Sequence, residues 1–309
     1  MSKNFLMSVG AYDTHVHVFD RELGSYDPAR AYTQEEAPLK ALQAFSAGIS
    51  SSGQPANFVL VQPSPYGTDN RVLLAALRKL RDAGLRDSRA IAVFDPESIS
   101  DDKLNRMHEL GVRGLRLNLQ ASGGEVNHAA LIDGLKAVAN RIQHLPGWKV
   151  QIYCPASTWD VIYDTVLNLP VEVIADHFGG LKGSSRLVSG GSALEQPGFS
   201  SLLKLAEKSR VYIKLSGLYR ASSSEETGYE DLAPIVRALA KRVPDRLVWA
   251  SDWPHTGQGK DRKPENALNT TEPFRKIDNL LILKNLKQWV DGNGVWHKLM
   301  VPNPRAIYR

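Results

Sequence analysis

One stretch of the chain, NFVLVQPSPYGTDNRVLLAALRKLRDAG (residues 57–84), carries the pattern of a strand followed by a helix. Its first part, Asn57–Ser64, begins with a continuous apolar run, which is typical of a strand covered on both faces in a parallel sheet. Its second part, Asn70–Ala83, repeats apolar residues with helical period, and Gly84 follows as a stop signal. The apolar residues that share one face of this helix are Val72, Leu73, Ala76, Leu77 and Leu80.

The same pattern recurs along the chain and indicates the fold class. Eight runs have the length and composition of strands: Ala11–Phe19, Asn57–Ser64, Ala90–Pro96, Val112–Leu119, Trp148–Cys154, Val171–Gly180, Val211–Tyr219 and Arg246–His255. Further helices are predicted at Asp101–Leu110 (with Ser100 as N-cap and Gly111 as stop), Ala130–Ile142, Thr158–Leu167, Ser200–Lys208 and Asp231–Arg242. A strand followed by a helix, repeated eight times, favours a single (β/α)₈ TIM barrel over residues 1–309. An open, doubly wound sheet stays an alternative, because the helix after the first strand is unclear.

No Pro-, Gly- or Ser-rich linker divides the 309 residues. The short Ser/Gly-rich segments 184–192 and 221–228 are interpreted as loops over one face of the barrel, and 293–309 as a turn, a short helix and a tail. The hydrophobic share of 42% and the charged share of 23% are ordinary for a globular chain, which excludes disordered and fibrous classes.

Composition also bounds location and partners. No apolar run reaches the ~18 residues of a membrane span, and the first residues lack the apolar core of a signal peptide. The single cysteine, Cys154, excludes an internal disulfide and a Cys-rich zinc site, which suits a cytoplasmic protein. The net charge of +5 comes from basic residues interleaved with acidic ones, so nucleic-acid binding is not expected, while a small anionic substrate is compatible. These patterns do not predict an oligomeric state.

In a TIM barrel, reactive side chains lie at the C-terminal ends of the strands. His15 and His17 alternate along the first strand and therefore share one face, His177 follows the sixth strand, and Asp252 follows the eighth. A buried histidine can instead be a packed core residue, and Asp252 can instead cap a helix or join a loop salt bridge. The combination nevertheless predicts Asp252, His15, His17 and His177 as catalytic residues.

Substrate-binding residues are predicted at other strand ends. Arg116 follows the pattern of the fourth strand and Arg220 that of the seventh, and arginine suits bidentate recognition of a carboxylate. The alternative is an internal salt bridge for each arginine. Arg113 lies on the opposite face of its strand and is interpreted as structural. The residues predicted to add hydrogen bonds to a substrate are Ser64, Tyr66, Asn118 and Tyr153.

Taken together, these motifs resemble the amidohydrolase superfamily, in the branch typified by 2-pyrone-4,6-dicarboxylate lactonase. The resemblance runs from about Tyr12 to Tyr308. Besides the first-strand histidines, it rests on Gln62-Pro63-Ser64-x-Tyr66-Gly67-x-Asp69-Asn70, Arg113-Gly114-x-Arg116-x-Asn118, Asp176-His177-x-Gly179, Lys214-x-Ser216-Gly217-x-Tyr219-Arg220 and Asp252-Trp253-Pro254-His255. It implies a metal-dependent-hydrolase-like barrel and a hydrolase that opens a lactone or pyrone ring at a carboxylic ester bond. In that reading, Asp252 activates water and the three histidines polarise the ring carbonyl.

The resemblance also bears on the cofactor. Two-metal members of the superfamily need a bridging Lys or Glu on strand four and a histidine on strand five, where this chain has Arg116, Asn118 and Tyr153. We therefore expect no metal, with Zn²⁺ held by His15, His17 and Asp252 as the alternative. Two rival functions follow: a zinc-dependent decarboxylase or amidohydrolase on the same barrel, and a barrel that binds a small anion without turnover.

One departure from the branch concerns the substrate. The lactonases that the chain resembles carry a further arginine shortly after the strand-four arginine, whereas Leu119–Gly124 contains no basic residue. A second carboxylate would lose a partner there. This difference favours a related substrate, such as a monocarboxylate lactone or pyrone.

Overall fold

The structure is a computed structural model that describes residues 6–120, 127–188, 191–258, 262, 263, 265, 267–290, 292 and 294–309. Eight parallel strands pair in chain order to form its sheet. They are β1 (Tyr12–Val16), β2 (Asn57–Val61), β3 (Arg89–Ala92), β4 (Val112–Asn118), β5 (Lys149–Tyr153), β6 (Val173–Ala175), β7 (Val211–Leu215) and β8 (Leu247–Trp249). Each of the eight predicted runs contains its strand or overlaps it.

The first strand meets the chain just after the last strand, so the sheet closes. Val16 forms a parallel bridge with Trp253, and the His17 amide donates to the Trp253 carbonyl at 2.9 Å. The Asp252 amide in turn donates to the His15 carbonyl at 3.1 Å. An open, doubly wound sheet would leave β1 and β8 far apart. The predicted (β/α)₈ barrel is therefore confirmed, and the open sheet is wrong.

Helices follow the strands around the barrel. They are α1 (Leu39–Gly48), α2 (Arg71–Asp82), α3 (Asp101–Leu110), α4 (His128–Ile142), α5 (Thr158–Asn168), α6 (Phe199–Glu207), α7 (Ala233–Arg242) and α8 (Asn279–Trp289), with α9 (Val295–Met300) and α10 (Pro302–Ile307) at the end. The sequence predicted α2 to α7 closely and did not locate α1 and α8. In α1 only Leu42 and Ser46 are buried, so its apolar period is weak.

Shorter elements connect these helices and strands. Thr33–Gln34 and Thr271–Glu272 pair as a small parallel sheet, and Leu218–Ala221 forms one helical turn after β7. Single 3₁₀ turns occupy Ser64–Tyr66, His177–Gly180, Ser184–Arg186, Glu225–Thr227, Glu230–Leu232 and Pro244–Arg246. Within the described residues, no helix is both long and apolar enough to cross a bilayer.

The end of the chain closes the N-terminal mouth of the barrel. A buried cluster inside the barrel joins Ile307 and Tyr308 to strand residues Val59, Val61, Ile91, Ile174, Tyr212 and Val248. The Lys149 ammonium donates to the Ile307 carbonyl at 2.9 Å, and the Asn303 amide donates to the Leu247 carbonyl at 2.7 Å. The predicted tail is therefore wrong in part, since α10 packs as a helix that fills this mouth.

This packing generates a prediction for stability. Ile307→Ala removes a fully buried side chain from the barrel interior, and we expect it to lower the free energy of unfolding by about 2–5 kcal/mol. Urea unfolding followed by tryptophan fluorescence measures the loss. The matched control is Leu280→Ala on α8, whose side chain is 45% exposed and whose loss we expect to cost about 1 kcal/mol or less. Equal losses in the two variants would contradict the role of α10 as a plug.

Candidate active site

Three imidazoles converge on one carboxylate oxygen at the C-terminal end of the barrel. The Nε2 atoms of His15, His17 and His177 lie 3.8, 3.9 and 3.9 Å from Asp252 Oδ1. His15 and Asp252 are fully buried, and His15 Nε2 and Asp252 Oδ1 have no hydrogen-bond partner in the described structure. The four side chains that the sequence predicted as catalytic therefore share one site, although they come from three distant parts of the chain.

The other ring nitrogen of each histidine contacts a different group. His17 Nδ1 lies 2.7 Å from the Val61 carbonyl, which can only accept, so His17 donates there and presents a lone pair at Nε2. His177 Nδ1 lies 2.9 Å from Ser216 Oγ, which can donate or accept. His15 Nδ1 lies between Asp176 Oδ1 at 3.2 Å and Lys214 Nζ at 3.3 Å. These partners hold the rings and bias the position of each proton.

Residues with left-handed backbone conformation follow β6 and β8 and orient the side chains there toward the site. His177, Phe178, Asp252 and His255 all have positive φ angles, between 49° and 73°. Such angles are uncommon outside glycine, and they cluster at functional sites where the surrounding structure holds them in place. The turns after β6 and β8 thereby bring His177 and Asp252 to the cluster.

The second oxygen of Asp252 is held by two donors. Asp252 Oδ2 accepts from the Tyr219 hydroxyl at 2.7 Å and from Arg220 Nε at 2.6 Å. The remaining Arg220 nitrogens donate to the Gly257 carbonyl at 3.1 Å and to Thr256 Oγ1 at 2.9 Å. Burial on its own raises the pKa of Asp252, but the positive charge of Arg220 outweighs it and holds the pKa below its usual value. Asp252 is therefore ionised at neutral pH, with Oδ1 left open.

A second buried carboxylate, Asp176, organises the layer behind His15. Its Oδ2 accepts from Arg116 Nε at 3.1 Å and Gln151 Nε2 at 3.0 Å, and its Oδ1 lies 3.3 Å from Lys214 Nζ. Burial opposes ionisation here as well, but Lys214, His15 and Arg116 hold the pKa of Asp176 well below its ordinary value. Burial lowers the pKa of Lys214 to about 8, which leaves the ammonium mostly charged at neutral pH.

Burial also keeps the imidazoles neutral. It lowers the pKa of His15 to about 4, although Asp176 pulls in the opposite direction. Burial lowers the pKa values of His17 and His177 well below the usual value too. The site therefore combines ionised carboxylates with neutral imidazoles. The carboxylates pair with Arg116, Lys214 and Arg220, whereas for the imidazoles burial outweighs the attraction of the nearby carboxylates.

A cavity of about 720 Å³ opens above the cluster. His17 and His177 line it, whereas His15 and Asp252 lie one layer deeper. The described wall carries five basic side chains and no Asp or Glu; the basic residues are Arg116, Lys182, Arg186, Arg220 and Arg262. Such a lining is complementary to a small anion.

The structure brings five of the six predicted substrate-binding residues to this cavity: Ser64, Arg116, Asn118, Tyr153 and Arg220. Asn118 donates to Ser64 Oγ at 3.1 Å, and the Tyr153 ring packs edge-on against His177. Arg116 and Arg220 both form internal salt bridges, as the alternative for each of them stated. Tyr66 is not brought to the cavity, because its ring packs on Phe19 and Tyr26 and its hydroxyl accepts from the Asp20 amide.

Six residues that contact the site side chains or one another have no role predicted from the sequence. They are Asp176, Lys214, Tyr219, Ser216, Gln151 and Thr256. The first four stand inside quoted motifs, so a signal was present. Their partners depend on pairing across strands, such as Arg116 opposite Gln151, which no single strand reveals.

Arg113, interpreted as structural, donates to the His108 carbonyl at 2.8 Å and to the Arg309 carbonyl. The basic-free stretch after Leu119 extends into residues 121–124, outside the described structure.

The donor set also fits a metal ion. Ligand atoms of His15, His177 and Asp252 lie within 4.8 Å of one another, and all three residues are buried. Imidazole nitrogens and a carboxylate oxygen are common zinc ligands, and two of these atoms lack any described partner. The sequence-based alternative named His17 in place of His177; the compact group contains His177.

Comparisons with known proteins place the chain in a family. The amidohydrolase family pattern matches residues 12–309. A 2-pyrone-4,6-dicarboxylate hydrolase from Comamonas testosteroni is 31% identical over 98% of this chain and 92% of its own length. A 4-sulfomuconolactone hydrolase from Rhizobium radiobacter is 27% identical over 99% and 92%.

A solved structure agrees with these sequences. It is a protein from Pseudomonas putida provisionally named as a 2-pyrone-4,6-dicarboxylic acid hydrolase, with a TM-score of 0.70, 27% identity and 97% of each chain covered. The chain belongs to the amidohydrolase family, and the resemblance seen in its motifs is confirmed.

The packing of the site predicts the effect of one methyl group. Gly217 has a φ of 58°, and a Cβ there would lie 2.8 Å from His177 Nδ1 and 3.0 Å from Asp252 Oδ2. We expect Gly217→Ala to destabilise the protein by about 2 kcal/mol or more, from left-handed strain plus the clash. Thermal unfolding measures this loss.

The control for that variant is Gly134→Ala in α4, where an added Cβ meets nothing within 4 Å. Alanine in a helix interior should stabilise by about 0.5–1 kcal/mol. A Gly217→Ala protein as stable as wild type would show that the space between His177 and Asp252 is not closed.

Proposed function

We propose that this chain is a hydrolase that opens a lactone or pyrone ring of a small carboxylated substrate by attack of water. The activities that the names of the Comamonas and Rhizobium relatives state support this proposal, since both relatives are named for hydrolysis of a ring of this type. The matches to these two relatives cover 98% and 99% of this chain. We also propose a cytoplasmic location, which suits the single, buried, free cysteine.

The observation that carries the proposal is the open oxygen of Asp252. A general base must be ionised and able to reach the proton that it takes. Asp252 is held ionised by Arg220 and Tyr219 through Oδ2, which leaves Oδ1 directed at the three imidazoles without a described partner. A water that enters between His17 and His177 from the cavity would meet this oxygen. Asp252 would take its proton while the water oxygen attacks the ring carbonyl. When the tetrahedral intermediate collapses, the bond between that carbon and the ring oxygen would break, and the protonated Asp252 would return the proton to the leaving oxygen.

The imidazoles would then have separate roles. His17 presents a lone pair at Nε2, because its Nδ1 donates to the Val61 carbonyl, so it can accept a hydrogen bond from the attacking water. The carbonyl oxygen gains negative charge in the transition state and needs N–H donors. His177 lines the cavity, and its Nδ1 can accept from the Ser216 hydroxyl, which would leave an N–H at Nε2 for that oxygen.

The charge balance of the site favours an anionic substrate. Three buried cations, Arg116, Lys214 and Arg220, face two buried carboxylates, Asp176 and Asp252. A third fully buried carboxyl, Asp13, lies next to this group, and burial raises its pKa to about 7. With neutral imidazoles and Asp13 protonated, the group keeps one excess positive charge at the base of the cavity. A substrate carboxylate beside Arg116 and Asn118 would compensate it.

The same excess charge is our reason to favour a metal-free reaction, since a divalent cation would add to it. If zinc does bind, His15, His177 and Asp252 are the residues that would hold it, and it would supply Lewis acidity and a lower pKa for bound water. The residues of this chain would still orient the substrate and exclude bulk water. A zinc-dependent decarboxylase or amidohydrolase on this barrel is the second candidate function, and a barrel that binds a small anion without turnover is the third.

Asp252→Asn tests the role of the base. The amide keeps the shape but cannot take a proton, so kcat/KM for ring opening should fall by about 10²–10⁴-fold. Loss of the ultraviolet absorbance of carboxylated lactones and pyrones measures the rate, and calorimetric titration with a ring-opened product measures binding, which should persist. The control is Asp133→Asn, an exposed carboxylate on α4.

The rivals give different outcomes in the same assay. Stoichiometric zinc in protein purified without chelator, lost together with activity on chelation, would favour the zinc enzyme. A folded wild type that binds the lactones without turnover would favour the anion binder. An Asp252→Asn protein with more than about a tenth of wild-type kcat/KM would exclude Asp252 as the base.

Arg186 tests the substrate class. Its guanidinium lines the cavity and contacts only neutral acceptors in the described structure, the Tyr219 carbonyl at 3.1 Å and Gln258 Oε1 at 3.4 Å. A second anionic group on the substrate could pair with it. We expect Arg186→Met to raise KM for a dianionic lactone about tenfold or more, and to change KM for a monoanionic one much less.

The matched control is Arg237→Met, which removes the same charge from an exposed position on α7. Equal effects of Arg186→Met on both lactones would exclude a second anion subsite there.

A further inference from the structure

Lys214 is a buried charged residue to which the proposed reaction gives no direct role. It lies on β7 inside the barrel and is fully buried. Its Nζ contacts three atoms: Gln151 Oε1 at 2.8 Å, Asp176 Oδ1 at 3.3 Å and His15 Nδ1 at 3.3 Å. Moving an ammonium from water into the barrel interior costs free energy unless its charge is paired and its N–H groups are hydrogen-bonded. The three contacts of Lys214 Nζ are therefore important for its role.

The count of donors and acceptors around Lys214 constrains His15. An ammonium has three N–H donors and no lone pair, and buried donors need acceptors. Gln151 and Asp176 supply two acceptors. The third N–H is satisfied only if His15 Nδ1 carries a lone pair. A neutral imidazole has one ring proton, and with a lone pair on Nδ1 that proton is on Nε2.

The opposite arrangement would place the proton on Nδ1 as a donor to Asp176, at 3.2 Å. Asp176 does not depend on that bond, since it already accepts hydrogen bonds from Arg116 and Gln151 and pairs with the Lys214 ammonium. A hydrogen on Nδ1 would also lie beside the Lys214 ammonium. The Nε2 lone pair would then face Asp252 Oδ1, an ionised oxygen 3.8 Å away, with no donor between them.

We propose that Lys214 is a positioning residue that keeps the single proton of His15 on Nε2, so that His15 presents an N–H to the space beside Asp252 Oδ1. His17 presents a lone pair to the same space, because its Nδ1 donates to the Val61 carbonyl. His15 in β1 and His17 just after it therefore have opposite hydrogen-bonding roles. The His15 N–H would donate to an oxygen that gains negative charge, and the His17 lone pair would accept a hydrogen bond from the water.

The proton position can be read directly. Long-range proton–nitrogen correlation spectra of the full chain labelled with ¹⁵N-histidine, near neutral pH, distinguish protonated from unprotonated ring nitrogens. Comparison with His15→Gln assigns the His15 signals among the eight histidines. Wild type should show the His15 proton on Nε2. Lys214→Met should move it to Nδ1, where it can donate to Asp176.

The control is Lys149→Met, which removes a second buried lysine of the described structure, at the N-terminal mouth of the barrel and away from His15. It should leave the His15 signals unchanged even if it lowers stability. The wild-type spectrum alone can overturn the proposal, by showing the His15 proton on Nδ1. The proposal therefore stays testable even if Lys214→Met does not fold. A folded Lys214→Met protein with wild-type His15 signals would overturn it as well.

A kinetic arm rests on the proposed function. Loss of the His15 donor should lower kcat by about 100-fold with little change in KM, whereas a purely structural role would show in stability alone. If the wild type opens no lactone ring, the proposed function fails, and the spectra still decide where the His15 proton lies. A Lys214→Met protein with wild-type kcat but a shifted proton would overturn the catalytic part of the inference.

Discussion

The site depends on how the barrel closes. The Asp252 amide donates to the His15 carbonyl, the His17 amide donates to the Trp253 carbonyl, and Asp13 Oδ1 accepts from the Ser251 amide at 2.9 Å. These bonds join the first strand to the segment after the last one, at a fixed register. Because alternate residues of an extended segment face the same side, this register places His15 in β1 and His17 just after it beside Asp252. The chemistry at the top of the barrel is therefore a consequence of its closure.

Ionised carboxylates can lie this deep because each has cations within contact distance. Arg220 holds Asp252, while Arg116 and Lys214 hold Asp176. A buried ion pair of this kind adds little net stability, because the cost of removing both charges from water offsets their attraction. Its effect here is on protonation. The paired cations keep the carboxylates ionised, and burial keeps the imidazoles neutral, so ionised carboxylates and neutral imidazoles coexist at one pH.

The sequence predicted the strands and the central side chains because both follow from local pattern. Continuous apolar runs mark strands buried on both faces, and a polar residue that ends such a run marks the catalytic end of a barrel. Helix α1 was missed because few of its residues are buried. The packing of α10 was missed because Ile307 and Tyr308 contact strands that are distant in the chain, from Val59 to Val248. Tyr66 was predicted at a strand end but lies in the 3₁₀ turn after β2, where its ring packs against Phe19 and Tyr26 and away from the cavity. The position of a residue in the sequence cannot show this packing.

Partners one layer behind the reacting atoms determine what the cluster can do. The same imidazoles could ligate a cation through lone pairs or stabilise an anion through N–H groups, and only the contact at the far ring nitrogen separates these uses. A carbonyl at Nδ1, as at His17, leaves a lone pair at Nε2. A neighbouring ammonium, as at His15, favours an N–H there instead. The partners of the far ring nitrogens therefore decide between these two uses, and the distances between the imidazoles and Asp252 alone do not.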